Sequence, residues 1–376
     1  MILKNATILN GEFELVKKDI KIEGETIVEI ADSINGENEV DYSGKTIVPG
    51  VIDIHTHGAA VHDHCSGDME GLARVAEFEA KNGVTSFLPT TMTVSEDMLI
   101  NATKAVAEFM KTQQKGATPL GVHLEGPFFS MSKRGAQPAE YIKEPNAEMF
   151  FRICDACGNI VKIIDIAPET NGALEFIKEV KDTCTVSIGH TAANYEQTKK
   201  GFEAGATHTV HLYNAMTGAT HREPGVAGAV WDNDSATAEL ICDGVHIHPA
   251  IIRTTFKLLG KRVVMISDSL SGTGLKDGES FLDAGGHTIT INGGKATLDD
   301  GTIAGSTTNL FECVRRTISF GIKFEDAFYA ATLAPAKVIG VDSHLGSIEK
   351  GKRADLVVID GDLNIEAVYI KGKREA

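Results

Sequence analysis

Positive charge is in short supply in this chain. Thirty-six Lys and Arg face 52 Asp and Glu, for a formal charge of -16. The average field repels polyanions, which excludes nucleic acid or an anionic membrane as a general partner. Proline is also scarce, 10 in 376 residues, and with 42 % hydrophobic and 23 % charged residues that excludes long disordered tracts. No apolar run reaches the ~18 residues that would span a bilayer. The first residues, MILKNATILNGEFELVKKD, alternate apolar and polar, whereas a signal peptide has a basic start and an unbroken apolar stretch. The expected location is the cytoplasm. Six cysteines, Cys65, Cys154, Cys157, Cys184, Cys242 and Cys313, are too thinly spread for a disulfide framework and fit reduced, mostly buried thiols. The lone CxxC of Cys154 and Cys157 has no second pair and reads as incidental.

What the chain has is a repeating alternation. Eight apolar runs each end in turn or functional residues: VIDIHTHG, VTSFLPTT, PLGVHLEGP, IVKIIDIAPE, CTVSIGHT, THTVHLYNA, AELICDGVH and RVVMISDS. Most gaps carry helical patterning, as in MEGLARVAEFEAKNG and PAIIRTTFKLLGK, and several close on a glycine. Strands alternating with helices imply parallel βαβ units, and eight units imply a closed α/β barrel of the (β/α)8, TIM-like type, which takes about 250 residues. The remainder lies at the ends. Residues 1–50 and 345–376 both read as short strands with Gly and Asn turns, so both termini are expected to form one small β-sandwich domain around a catalytic barrel of residues 51–344.

A parallel barrel delivers the ends of its strands to one rim, so residues far apart in sequence converge there. His55 and His57 end the first run, and their period-two spacing puts both imidazoles on one side. Glu125 follows the third run, His190 and His211 the fifth and sixth, and Asp268 the eighth. Glu125 with His190 and His211 makes a three-ligand set for a catalytic divalent ion with an open position for water. Imidazoles with carboxylates suit zinc, iron, cobalt or manganese. Asp268 is placed to take a proton from water and return it to a leaving nitrogen. His123, two residues before Glu125, reads as a core residue or a support for the ligands. Arg222, in the Gly-rich loop THREPGVAG (220–228) just past the sixth strand, has a guanidinium suited to phosphate oxygens. In CDGVHIHP, His246 is the candidate for a sugar hydroxyl and His248 for a cap. AGSTTNL (304–310) offers small residues for close backbone approach to a ligand. The HDHC run at 62–65 reads as a loop beyond the rim and carries no assignment.

Taken together and in this order, HTHG, GVHLEGPF, SIGHT, HLYNAM, REPGVAG, SDS and AGSTTNL resemble the N-acetylglucosamine-6-phosphate deacetylases of the amidohydrolase superfamily. The resemblance runs over nearly the whole chain, including the closing GSIEKGKRADLVVID. It implies hydrolysis of the acetamide of a phosphorylated amino sugar, with Glu125, His190 and His211 holding the principal metal and His55 and His57 able to hold a second, so one or two ions per subunit. It implies Asp268 as general acid/base and substrate contacts from Ala136, Asn214, Ala215, Arg222, His246, Ile303, Ala304 and Gly305. It implies a homodimer in which Arg222 reaches phosphate across the interface. Some members carry a His in the loop after the Glu where this chain has Gln137, so polarising the carbonyl falls to Gln137 or to the metal. The alternatives are deacetylation of the galactosamine epimer, or another amidase or deaminase reaction of the superfamily. A non-catalytic scaffold would require lost ligands, and every ligand is present.

Overall fold

The computed structural model describes residues 1–113 and 115–376. Eight parallel strands, Val51–Thr56, Val84–Thr91, Val122–Phe128, Val161–Ile166, Thr185–Ile188, His208–Thr209, Thr237–Ile241 and Val263–Ile266, pair in sequence order. They correspond to the eight apolar runs. Closure occurs just beyond the eighth strand: Asp268 N–H donates to His55 O at 2.9 Å, His57 N–H to Ser269 O at 2.7 Å, and Thr56 bridges Ser269 in parallel. The two segments that seal the barrel are thus the ones that carry His55, His57 and Asp268.

Helices follow the strands and cover them. Met69–Lys81 starts where the Asp68 side chain accepts from the N–H groups of Glu70 and Gly71, and Tyr195–Ala204 starts on a reciprocal capping box of Asn194 and Gln197. Each presents an apolar stripe inward, as with Leu72, Val75 and Ala76 of the first. His248, expected to cap a loop, instead caps the helix Pro249–Leu259 by accepting from Ala250 N–H. Cys154 and Cys157 are buried at the end of Ala147–Ala156, and all six cysteines are free. Among the described residues no helix is long and apolar enough to cross a membrane.

Both ends of the chain build two further sheets. One orders Thr26–Ala31, Asp19–Glu23, Ile2–Lys4 and Glu39–Asp41; the other orders Lys373–Arg374, Ile365–Ile370, Leu356–Ile359, Thr46–Pro49, Thr7–Leu9 and Leu15–Lys17. Leu3, Ile8, Ile20, Ile27, Ile47, Leu356, Val358 and Tyr369 are buried together between them, a β-sandwich core distinct from the barrel's.

Two features differ from the sequence reading. Ser280–Leu282, Thr288–Asn292 and Lys295–Thr297 form a three-stranded antiparallel sheet inserted after the eighth strand. Its strands are short and its turns Gly-rich, and the sequence reading assigns it no element within the 51–344 barrel. The Gly-rich part of REPGVAG is not a loop: Gly225–Trp231 is a helix, with Pro224 immediately before it.

Candidate active site

Three donor atoms meet at the C-terminal rim of the barrel. Glu125 Oε1, His190 Nε2 and His211 Nε2 each lie 3.1 Å from the other two. Ligands about 2.0–2.1 Å from a tetrahedral ion have nearly this mutual spacing. The chemistry of the donors points the same way. His190 Nδ1 donates to Lys133 O at 3.0 Å, which in the neutral ring leaves a lone pair at Nε2, facing a carboxylate oxygen. Two acceptors at that distance repel unless a proton or a cation stands between them.

A second group adjoins the first through Glu125. His55 Nε2 and His57 Nε2 are 3.3 Å apart, and they lie 3.6 Å from Glu125 Oε1 and 3.4 Å from Glu125 Oε2 respectively. Asp268 Oδ1 stands 3.5 Å from His55 Nε2 and 3.3 Å from His57 Nε2. Both three-residue sets, Glu125 with His190 and His211 and Glu125 with His55 and His57, are compact and buried enough to hold a metal ion. The residues fit one ion or two.

Mutual proximity sets the protonation of these groups. Burial alone would raise Glu125, and His57, His190 and His211 outweigh it and hold the carboxyl well below its usual range. Asp268 is lowered in the same way by His55 and His57 against the effect of burial. Burial alone would lower His57 and His211, yet the facing carboxylates raise both to about 9. The backbone turns sharply to present these side chains. His190, His211, Ala215 and Asp268 have φ of 46°, 23°, 49° and 51°, a left-handed region that costs a non-Gly residue ~1–3 kcal/mol.

The cluster forms the floor of a cavity of about 350 Å³. Its walls include Ala136, Asn214, Ala215, His246, Ile303, Ala304 and Gly305, all expected as substrate contacts, and the inserted sheet contributes Ile289. His246 Nδ1 donates to Asp243 Oδ2 at 2.7 Å, leaving Nε2 as an acceptor, buried and without a protein partner. Gly305, at φ 53°, approaches so closely that a Cβ there would meet Asp268 O at 2.8 Å. Gln137 also lines the cavity: Thr93 N–H donates to its Oε1 at 2.7 Å, which fixes the amide so that its NH2 donates to Glu125 Oε2. Arg222 is exposed and is not among the cavity residues. The cavity lining carries no Lys or Arg among the described residues.

Below the rim lies a polar layer that sequence reasoning mostly missed. His123 donates to Ile54 O at 2.9 Å and contacts Asp165 Oδ2 at 2.8 Å, in line with its reading as a support. Glu239 lies 3.0 Å from His55 Nδ1 and 3.2 Å from His208 Nε2. Asp53 accepts from the N–H groups of His55 and Ser267. The signal was available: a charged residue inside an apolar strand, as in AELI, is costly to bury without partners. In the HDHC run, His64 and Cys65 are buried, and the Cys65 sulfur accepts from Met92 N–H, so the run packs beside the site instead of lying out in a loop.

Residues 46–374 match the model of the amidohydrolase family. Over 329 residues the chain is 36 % identical to N-acetylgalactosamine-6-phosphate deacetylase of Escherichia coli O157:H7, covering 87 % of each. It is also 36 % identical over 332 residues to N-acetylglucosamine-6-phosphate deacetylase of Bacillus subtilis (strain 168), covering 87 % of this chain and 83 % of the relative. Among solved structures, a mutant N-acetyl-D-glucosamine-6-phosphate deacetylase from Mycobacterium smegmatis, in complex with N-acetyl-D-glucosamine-6-phosphate, superimposes with a TM-score of 0.94 at 30 % identity, covering 100 % of this chain and 99 % of that one. A barrel closed through the strand ends that carry His55, His57 and Asp268, matched by the family model over residues 46–374, belongs to a member of the amidohydrolase family.

Proposed function

We propose that the protein hydrolyses the acetamide of N-acetyl-D-glucosamine 6-phosphate, releasing acetate and D-glucosamine 6-phosphate. The observation that carries this reading is the convergence of Glu125, His190 and His211 with Asp268 on the floor of one sugar-sized cavity, in a chain whose relatives are deacetylases of phosphorylated amino sugars. A divalent ion held by Glu125, His190 and His211, with room for a second at His55 and His57, supplies Lewis acidity that polarises the acetyl carbonyl and acidifies a water. Zinc, iron, cobalt and manganese all suit the donors.

The chain's own residues do the rest. Asp268, kept ionised by the adjacent imidazoles, accepts the proton of the attacking water and delivers it to the amide nitrogen. That delivery matters because an unprotonated amine anion is a very poor leaving group. Gln137 orients Glu125 through its amide N–H. His246 Nε2 accepts from a sugar hydroxyl, while Ala136, Asn214, Ala215 and the Ile303–Gly305 segment hold the ring against the floor.

Phosphate needs a cation that the cavity lining lacks, and exposed Arg222 supplies it from a neighbouring subunit of a homodimer. Such remote contacts orient the acetamide for attack. A phosphorylated sugar is too highly charged to cross a bilayer unaided, which supports the expected cytoplasmic location.

A second reading, the galacto epimer as substrate, is favoured by one finding: a relative named for that epimer is as similar as the one named for the gluco epimer. The test is acetate and amine release from the gluco and galacto 6-phosphates and from unphosphorylated N-acetylglucosamine. Turnover is expected to be fastest on the gluco 6-phosphate. Faster turnover of the galacto form would move the assignment to the epimer, and no turnover of any of the three by metal-loaded protein would refute both readings.

A further inference from the structure

One carboxylate beneath the rim touches both halves of the His and Glu cluster. Glu239, on the seventh strand, is fully buried. Its Oε2 lies 3.0 Å from His55 Nδ1 and accepts from the backbone N–H of His211 at 3.3 Å. Its Oε1 lies 3.2 Å from His208 Nε2, and its own carbonyl accepts from Leu212 N–H at 2.9 Å. A single residue thus grips an imidazole of one three-residue set and the backbone that carries an imidazole of the other.

The contact at His55 has a chemical consequence. A neutral imidazole has one N–H, and committing it to Glu239 at Nδ1 leaves the lone pair on Nε2. Nε2 is the atom that faces His57, Glu125 and Asp268. The neighbouring rings are held differently. His190 is oriented by a backbone carbonyl, and Nδ1 of both His57 and His211 is buried without a partner. Among these four rings, His55 alone has its tautomer set by a carboxylate.

We propose that Glu239 is a positioning residue that fixes the donor tautomer of His55 and anchors the strand end bearing His211, so that the two halves of the site are set by one buried group. The proposal rests on the reading of the cluster as a metal centre. A carboxylate behind a ligating histidine typically changes metal affinity about 10–100-fold. Glutamine can replace part of this function. Its single oxygen can take the place of Oε2 beside His55, while its amide nitrogen donates to His208 Nε2 once the His208 proton sits on Nδ1, where Thr237 Oγ1 at 2.6 Å can accept it. An apolar side chain can replace none of it.

The test uses the full chain, first freed of metal at pH 8 and labelled with 15N-histidine. The His55 signals are identified by their loss in His55→Gln. Wild-type protein is expected to show His55 protonated at Nδ1 and bare at Nε2, a readout that needs neither metal nor activity. Glu239→Leu is expected to scramble that tautomer and to weaken zinc uptake about 10–100-fold in competition with a chelating dye, and Glu239→Gln to restore most of both. A wild-type His55 protonated at Nε2 and bare at Nδ1 overturns the proposal even where a variant fails to fold, and so does a folded Glu239→Leu with unchanged tautomer and unchanged zinc affinity. A wild-type protein that takes up no zinc contradicts the metal reading instead, and the tautomer result stays separate from it.

Discussion

The two cores of this molecule are built on opposite terms. Between the sheets of the sandwich, Leu3, Ile8, Ile20, Ile27, Ile47, Leu356 and Val358 are buried together, and Tyr42 and Tyr369 share a 2.7 Å hydrogen bond beside them. At the end of the barrel, Asp53, His55, His57, His123, Glu125, Asp165, His208, His211 and Glu239 are equally buried. Burying an aliphatic side chain stabilises a fold by ~1.5–3 kcal/mol. Burying charged groups carries a desolvation cost that a salt bridge only sometimes offsets. The sandwich is what stability alone would produce; the barrel floor sacrifices stability for chemistry.

The sharpest way to break that contrast is at Asp268. Asp268→Asn is expected to keep ions and substrate bound while turnover falls about 10²–10⁴-fold, the usual weight of a general acid/base. A near-normal kcat would remove Asp268 from the proton role. If the site holds two ions, changing both His55 and His57 to Asn is expected to cost one of them per subunit by elemental analysis while the Glu125, His190 and His211 set keeps its own. An unchanged ion count would favour a single-ion site. Arg222→Ala is expected to raise KM for the phosphorylated substrate about 10–100-fold, the loss of a charge-assisted hydrogen bond, with little effect on the unphosphorylated sugar; equal effects on both would sink the phosphate role.

On the other side of the comparison, Ile47→Ala, at a fully buried sandwich position, is expected to cost about 2–5 kcal/mol of stability and to leave kcat of the folded enzyme unchanged. A change in kcat without a loss of stability would mean that the two cores are not separable. The smallest effect concerns pH. In metal-free protein, burial would lower His57, His123 and His211, but facing carboxylates raise each to about 9 from 6.5. A raised folded value stabilises fully below pH 6.5 and is lost as pH rises through about 9. The melting temperature of the stripped protein is therefore expected to fall across that window, and a rise would contradict the assigned pairs.

Legibility in the sequence follows the same division. His55 and His57 were readable because their spacing matches the strand period. Glu125, His190, His211 and Asp268 were readable because each follows an apolar run, where a barrel collects its functional groups. Glu239 was missed although a Glu inside the apolar AELI signals a buried carboxylate with partners; which partners it takes, His55 and His208, is settled only in space. The inserted sheet was hidden because Ser280–Thr297 is rich in Gly turns and its three strands span 3, 5 and 3 residues. Arg222, expected at phosphate, lies on an exposed segment outside the cavity of its own chain, a placement that the REPG motif does not signal.

The most direct test of the account is to strip the protein of metal with a chelator and titrate a single divalent ion back while following amine release from N-acetylglucosamine 6-phosphate. The account predicts that turnover vanishes on stripping and returns in proportion to ion bound, saturating at one or two per chain. Turnover that survives complete stripping would show that the buried His and Glu cluster is not the catalytic metal centre.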